Sequence, residues 1–420
     1  MMSRKLGVLA VLYFVQGMPF GFQLTALPAY LRESGVSLAG VGLVSALALP
    51  WSFKVIWGPA VDRYGSPSFG RRKSWIVPLQ AALALCCAAV ALVPPSQGLT
   101  MVLVMVLAMN LFASTMDVAV DGLAVDVLGQ HELGYGNIAQ VVGFKVGMLT
   151  GGGLLAWASG WIGWDGLFLA MAGLVALALA VTLPFRERDL RRSAGRTDPS
   201  PKGSGGAPPA TQTLGGILQA LIRSFKTPGT VWVLLFITTY KLGETLAETM
   251  FRPFLVDAGY DLADIGKWVG TWGMLFSLAG SFAGGLGASR FGIVRALTVT
   301  ATLRAVAVGG EWWLSWVGPT QERLAAVVAA EHFFGGAVTT AVFAFMMSRV
   351  DRRIGATHYT LLAALEVSGK LAASSVSGFI AEKIGYVAHF GLATALSVAF
   401  LLLLVPIRRH SPDPEPPPPP

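Results

Sequence analysis

Residues 114–128 read STMDVAVDGLAVDVL, three aspartates in an otherwise apolar stretch. At 100° per residue, Asn110, Ser114, Asp117 and Asp121 follow i, i+4, i+7, i+11 and fall within about 40–60° of one another. Asp126 lies about 180° from Asp117, so the three acids are not one site. A carboxylate taken out of water favours its neutral form, which suits proton binding. The alternative is that Asp117 and Asp121 pair with basic groups and hold helices together. A second cluster, YKLGETLAETMFR, places Lys241, Glu244, Thr245, Glu248 and Arg252 on one helical face. Glu244 or Glu248 is the expected proton-coupling residue, with Asp121 as competitor.

Single charges stand elsewhere in apolar surroundings: Lys145, Arg304, Glu331 with His332, and Glu366 with Lys370. Lys145 and Arg304 suit an anionic carboxylate, phosphate or peptide terminus, or else neutralise a neighbouring acid. His332 reads as a proton relay or as a hydrogen-bonded structural histidine. Gln16 and Gln23 share a face, and Tyr13, Tyr240, Trp268 and Trp272 are of the type that lines a cavity and stacks on sugars. Gln16, Gln23, Asn110, Lys145, Tyr240, Lys241, Arg304, Glu366 and Lys370 are the expected cavity residues.

Stepping these residues along the chain requires spans. The 420 residues are 54% hydrophobic with mean hydropathy +0.62, and only 13% are charged, about half the roughly 25% of a soluble domain. Spans of about 20 apolar residues are predicted at 6–31, 38–61, 74–93, 99–125, 134–159, 164–185, 229–256, 262–287, 293–317, 321–348, 355–381 and 386–407. The fold class is therefore an all-α polytopic membrane protein with twelve transmembrane helices. The expected domains are an N-terminal bundle (1–185), a linker (186–228), a C-terminal bundle (229–407) and a disordered Pro-rich tail (408–420). Within the linker, Leu214, Ile217, Leu218, Leu221, Ile222 and Phe225 keep helical spacing, read either as a short interfacial helix or as a loop. The N-terminus MMSRK precedes an apolar run with no cleavage site and reads as a retained first helix. Cys86 and Cys87, adjacent in an apolar run, make neither a disulfide framework nor a metal site.

With the N-terminus inside, 21 of the 31 lysines and arginines fall on cytoplasmic segments, and the opposite loops carry little beyond Arg32, Arg323 and Lys383. That asymmetry puts both termini in the cytoplasm and explains the pI near 9.6 without nucleic acid. An internal repeat is also visible. GPAVDRYG at 58–65 recurs as GLGASRFG at 285–292, GVSLAGVG at 35–42 as GYDLADIG at 259–266, and GWDGLF at 163–168 as GYVAHF at 385–390, at offsets of 227, 224 and 222. Two parallel six-helix repeats about a central cavity resemble the major facilitator transporters. The loop GPAVDRYGSPSFGRRKSW resembles their signature between helices two and three. Asp62 at a helix C-terminus there needs a cation or a facing helix N-terminus, so Gly58, Asp62, Arg63, Gly65, Arg71, Arg72 and Lys73 are read as a conformational latch.

Several stretches resemble the AmpG-like permeases and the related acetyl-CoA transporters: LYFVQGMPFGF at 12–22, FKVIWGPAVDRYG at 53–65, FGRRKSW at 69–75, DVAVDGLAVDVL at 117–128, YKLGE at 240–244 and ATHYTLLAAL at 356–365. The resemblance implies a proton-coupled importer of anhydro-muropeptides in a bacterial inner membrane. A sister group imports siderophores, and LPAYLRESGVSL and RRKSWIVPLQ look at least as much like that group. Paired aspartates in the fourth helix are family features, matched here by Asp117 and Asp121. Enzyme signatures are absent: no Walker loop after a strand, no nucleophile elbow, no HExxH. No cofactor or metal is expected; the partners are a solute, protons and lipid, and the chain is expected to be monomeric. The rival class is a non-transporting membrane sensor on a transporter scaffold.

Overall fold

The computed structural model describes residues 2–27, 47–66, 68–92, 99–187, 213–260 and 262–410. Most of the linker (188–212), the tail beyond 410 and the repeat element at 35–42 lie outside them. The described residues are almost wholly helical, as a bilayer demands, because only internally satisfied backbone is tolerated in hydrocarbon.

In chain order the helices are α1 (Met2–Gly21), running into a π turn (Phe22–Ala26), then α2 (Leu49–Phe53) and α3 (Gly58–Arg63), separated by a 3-10 turn (Lys54–Trp57). Next come α4 (Lys73–Ala91), α5 (Leu99–Val127), α6 (Leu133–Leu149), a π turn (Thr150–Leu154) and α7 (Leu155–Thr182). The linker contributes α8 (Leu214–Phe225). Then follow α9 (Thr230–Thr239), α10 (Leu242–Asp257), α11 (Leu262–Ile265), a π turn (Gly266–Trp272) and α12 (Gly273–Phe291). The chain ends through α13 (Ile293–Val317), α14 (Gln321–Ser348), α15 (Gly355–Ala399) and α16 (Leu404–His410).

Among the described residues, seven helical stretches are long and apolar enough to cross a membrane, with an eighth where Gly215–Phe225 and Thr230–Asp257 count as one broken span. Two of the seven, Gln130–Thr182 (53 residues) and Arg352–Arg409 (58 residues), are far longer than one crossing needs. Each reverses at one glycine of positive φ, Gly163 (φ 72°) and Gly385 (φ 75°). A Cβ is strained in that region, and these two glycines are the ends of the repeat at offset 222.

Three expectations are corrected. The predicted helix over 229–256 breaks between Thr239 and Leu242, so Lys241 stands at the N-terminal edge of α10, from which its side chain still reaches Glu244. The eighth span is not one α-helix, because seven of its residues wind as a π turn. The tail begins later than predicted, since residues 408–410 belong to α16. The linker segment that spacing left as helix or loop is helical: Ile217 and Ala220 are buried against Ile354, while Leu218 and Ile222 are exposed.

Contacts divide the chain into two units. The first contains residues 1–129, 139–221 and 350–360; the second contains 130–138, 222–349 and 361–420. Each unit thus takes in a short segment from the far side of the linker. In the first unit α1 crosses α6 closely, with Gly17 and Gly21 against Phe144 and Met148, a small-residue contact of the kind helices use in lipid. In the second unit Gly134 meets Gly285, and Ser289 Oγ accepts from Tyr135 N at 3.1 Å. Its core is aromatic, built on Phe251, Phe254 and Phe390.

Candidate functional site

In the first unit the acid stripe of α5 faces α1 and the broken helix α2. Trp51 Nε1 donates to Asn110 Oδ1 at 2.9 Å, and Lys54 Nζ reaches Asp117 Oδ2 at 2.5 Å. Tyr13 OH donates to Asp121 Oδ1 at 2.7 Å, and Gln140 Nε2 donates to the same oxygen at 3.1 Å. Tyr359 OH in turn donates to Gln140 Oε1 at 3.3 Å. Asp121 therefore rests on neutral donors, whereas Asp117 has a lysine. Lys54 was not anticipated; the signal was a lone cation inside the apolar stretch LPWSFKVIW.

Asp126 faces elsewhere, as helical geometry requires. It lies 3.2 Å from Arg72 Nε and 3.3 Å from Arg71 Nη2. Arg72, fully buried, also pairs with Asp62 Oδ1 at 2.7 Å and donates to the Val61 carbonyl at 3.2 Å. Burial opposes the charge on Arg72, but Asp126 and Asp62 outweigh it and hold the guanidinium above its ordinary value. Arg71 goes the other way, lowered by burial and by Arg72 beside it. Gly122 lets Arg72 in: a methyl there would come within 2.7 Å of its Cζ.

Asp62 has the compensation its position demands. Its carboxylate accepts from Ala356 N (3.2 Å), Thr357 N (2.7 Å) and Thr357 Oγ1 (2.6 Å), at the N-terminus of α15, where the helix dipole favours an anion. Gly58 lies against Thr357, and Gly65 against Arg71. Two latch residues go elsewhere. Arg63 packs over the Tyr64 ring at 5.1 Å. Lys73 donates to the carbonyls of Leu183 (2.5 Å) and Phe185 (2.9 Å), while Glu187 accepts from the backbone of Arg72 and Lys73. Lys73 thus ties the loop to the end of α7 and does not touch α15.

In the second unit one guanidinium organises the acids. Arg304 on α13 lies 3.2 Å from Glu244 Oε2 and bonds both the carboxylate and the main-chain carbonyl of Glu331 on α14. Lys241 Nζ meets Glu244 Oε1 at 3.1 Å, and the Glu331 carboxylate also meets His332 Nδ1. Arg304 is thus the neutraliser of acids, one of the two roles its sequence left open. Beside this network Tyr240 OH donates to Glu366 Oε1 at 3.1 Å and Lys370 meets Glu366 Oε2 at 2.9 Å. Tyr240 is buried and stacked on Phe236, not open to a solute.

Glu248 and Arg252, by contrast, are exposed. With Thr245, Thr249, Lys370 and Ser374 they line a cleft of about 470 Å³ walled by Val367 and Leu371. Gln16 is wholly buried with no hydrogen-bond partner among the described residues, Gln23 is buried on the π turn after α1, and Lys145 is half-buried. Sequence reading also missed Glu311, a third buried acid of this cluster.

Comparison with known proteins accounts for both the helical architecture and the motifs. The family model described as Acetyl-coenzyme A transporter 1 matches residues 5–156. The anhydromuropeptide permease of Escherichia coli (strain K12) is 30% identical over 405 residues, 96% of this chain and 79% of that protein. A putative transporter, AmpG 4 of Rickettsia felis, is 25% identical over 404 residues, 95% of each chain. Among solved structures, the major facilitator superfamily transporter FucP in its outward conformation superposes with a TM-score of 0.67 at 15% identity, covering 97% of this chain and 98% of that one. A bacterial homologue of the iron transporter ferroportin gives 0.67 at 13% identity, covering 97% and 99%. These likenesses to solved structures carry the fold alone. Taken with the permease match across nearly the whole chain, they make this protein a multi-pass transporter, not an enzyme, of the anhydromuropeptide permease (AmpG) family, with the major facilitator fold.

Proposed function

We propose that the chain is a proton-coupled importer of a large polar solute of the anhydro-muropeptide class, working by alternating access in a bacterial inner membrane. The observation that carries this reading is the second-unit cleft. Its lining offers a carboxylate (Glu248), a guanidinium (Arg252) and an ammonium (Lys370) beside hydroxyls and the apolar side chains of Val367 and Leu371. A sugar-peptide carries carboxylates, an amine and hydroxyls on an apolar frame, and a mixed acid–base cleft matches it group for group. The relative at 30% identity is named for that solute. Asp121 and Glu248 are the acids of the coupling machinery, with His332 beside Glu331 as relay.

The halves that rock are residues 1–185 and 229–407, joined by the linker, with both termini in the cytoplasm, and the unit that works is the monomer. Asp62, gripping the start of α15 while clamped by Arg72, forms in one conformation and releases in the other; Gly58, Gly65 and Arg71 shape that latch. A second reading, an acyl-CoA-type solute, is favoured by the family model over residues 5–156.

Proteoliposomes holding the purified chain test both. Labelled anhydro-muropeptide is expected to accumulate when the outside is more acidic and to show counterflow without a gradient. Accumulation of acetyl-CoA or of a ferric siderophore in its place sinks the solute assignment. Binding of any of the three without flux sinks transport and favours a sensor.

A further inference from the structure

Glu311 lies on α13, seven residues from Arg304 and so two turns along the same face. It is 1% exposed, and its Oε2 has no hydrogen-bond partner among the described residues. An orphaned carboxylate oxygen that deep is rare, because buried polar atoms are nearly always paired. The charges around it explain why. From α10 it faces Glu244, Glu248 and Arg252, from α14 Glu331 and His332, and from its own helix Arg304. Arg304 is already shared by Glu244 and Glu331, and Lys241 is on Glu244. Arg304 and Lys241 match Glu244 and Glu331, exposed Arg252 stands against exposed Glu248 across the void, and the fourth acid, Glu311, is left over. A lone ionised carboxylate is too costly in such a place, so Glu311 rests as the neutral acid.

It is not sealed. A void of about 20 Å³ is bounded by Glu248, Phe251, Arg252, Val269, Glu311, Glu331 and His332. That is room for one water molecule. Glu248 and Arg252 also line the open cleft, so these two side chains alone stand between the cleft and the void beside the buried acid. We propose that Glu311 is the proton-carrying residue of the second unit, loaded and unloaded from the cleft through this void. The proton passes from cleft water to the carboxylate, and leaves by the same water when Arg304 turns from Glu331 toward Glu311 and makes its ionised form affordable. Glu244, the first expectation for coupling, holds no such role, because Arg304 and Lys241 keep it charged.

This inference rests on the proton-coupled reading, and the test separates the two. At one proton per solute, a difference of one pH unit sustains about a tenfold solute gradient. Proteoliposomes with wild type, E311Q and E244Q are given that gradient and labelled anhydro-muropeptide. Wild type is expected to accumulate solute, and E311Q, a permanent mimic of the neutral acid, to fall to the equilibrium distribution while still showing counterflow. Accumulation by E311Q equal to wild type overturns the assignment of Glu311 alone. Wild type that shows counterflow but ignores the gradient overturns the coupled reading, and Glu311 with it. Infrared spectra of purified protein supply a second readout: a protonated-carboxyl band at neutral pH, lost in E311Q. Should E311Q fail to fold, E311D is expected to shift that band, and an unshifted band overturns the proposal.

Discussion

The two units solve one problem, carboxylates in hydrocarbon, with different partners. In the first, Asp121 is held by a phenol and an amide, Tyr13 and Gln140, with a lysine one helical turn away on Asp117. In the second, Glu244 and Glu331 converge on an arginine. A guanidinium keeps its charge under all conditions in a protein and fixes two acids with its fork. Acids so bound stay ionised and hold helices together. Hydroxyl and amide partners tolerate either protonation state, since a phenol oxygen can accept from a protonated carboxyl while the amide goes on donating to its carbonyl oxygen. The partner, more than the depth, separates a structural acid from one that exchanges protons.

That distinction is open to breaking. The largest effect belongs to Arg304→Gln, which leaves Glu244 only Lys241 and Glu331 only His332; a loss of about 3–5 kcal/mol is expected, read from unfolding in detergent. A loss below about 1 kcal/mol would mean that the arginine is no organiser and the contrast is empty. Asp62→Asn comes next, removing one of the two carboxylates on buried Arg72 and weakening the grip on Thr357. About 1.5–3 kcal/mol is expected, and cysteine accessibility near Thr357 should rise; no change in either removes the latch. Asp121→Asn sharpens the comparison, because stability should fall by only about 1 kcal/mol while the pH response of uptake flattens. Retained pH-driven uptake there rules out Asp121 as a coupling residue.

The smallest effect concerns a group in the loop before α15. Burial pushes the Asp351 carboxyl up, but hydrogen bonds from the Arg353 side chain and backbone outweigh it and hold it below the usual range. A depressed folded value stabilises the fold above the ordinary carboxylate value of about 4, and that contribution is lost as pH falls through the folded value. Asp351→Asn should therefore cost under about 1 kcal/mol at neutral pH and nothing once the wild-type carboxyl is protonated. A cost that persists in acid would assign the effect to the turn and not to the charge.

The α5 stripe was legible because one helix carries all its members and helical spacing decides their face. Asp126 split from Asp117 for the same reason. Lys54 and Tyr359 were not legible, since their partners come from other elements and Lys54 sits where the helix tightens to a 3-10 turn. Glu311 was not legible, because the acids around it come from other elements, Glu244 and Glu248 from α10 and Glu331 from α14. The loop motif told that Asp62 needed a cation or a facing helix N-terminus but not which partner; it has both, Arg72 and the start of α15, and Gly355, opening α15, was the available sign. Lys241 keeps its place beside Glu244 although the helix breaks at it, because a pair three residues apart needs only the first turn of α10.

Gly163 and Gly385 carry a consequence for how the chain is made and probed. At each corner one span passes to the next with no loop residues to spare. A protease, an antibody tag or a sugar-transferring enzyme finds no extended strand of chain to grip there. The spans on either side of each corner must also enter the bilayer as a joined pair, because neither can stop and wait in water for the other. A topology map made by inserting tags will therefore go silent at residues 163 and 385, and that silence will itself mark the two hairpins.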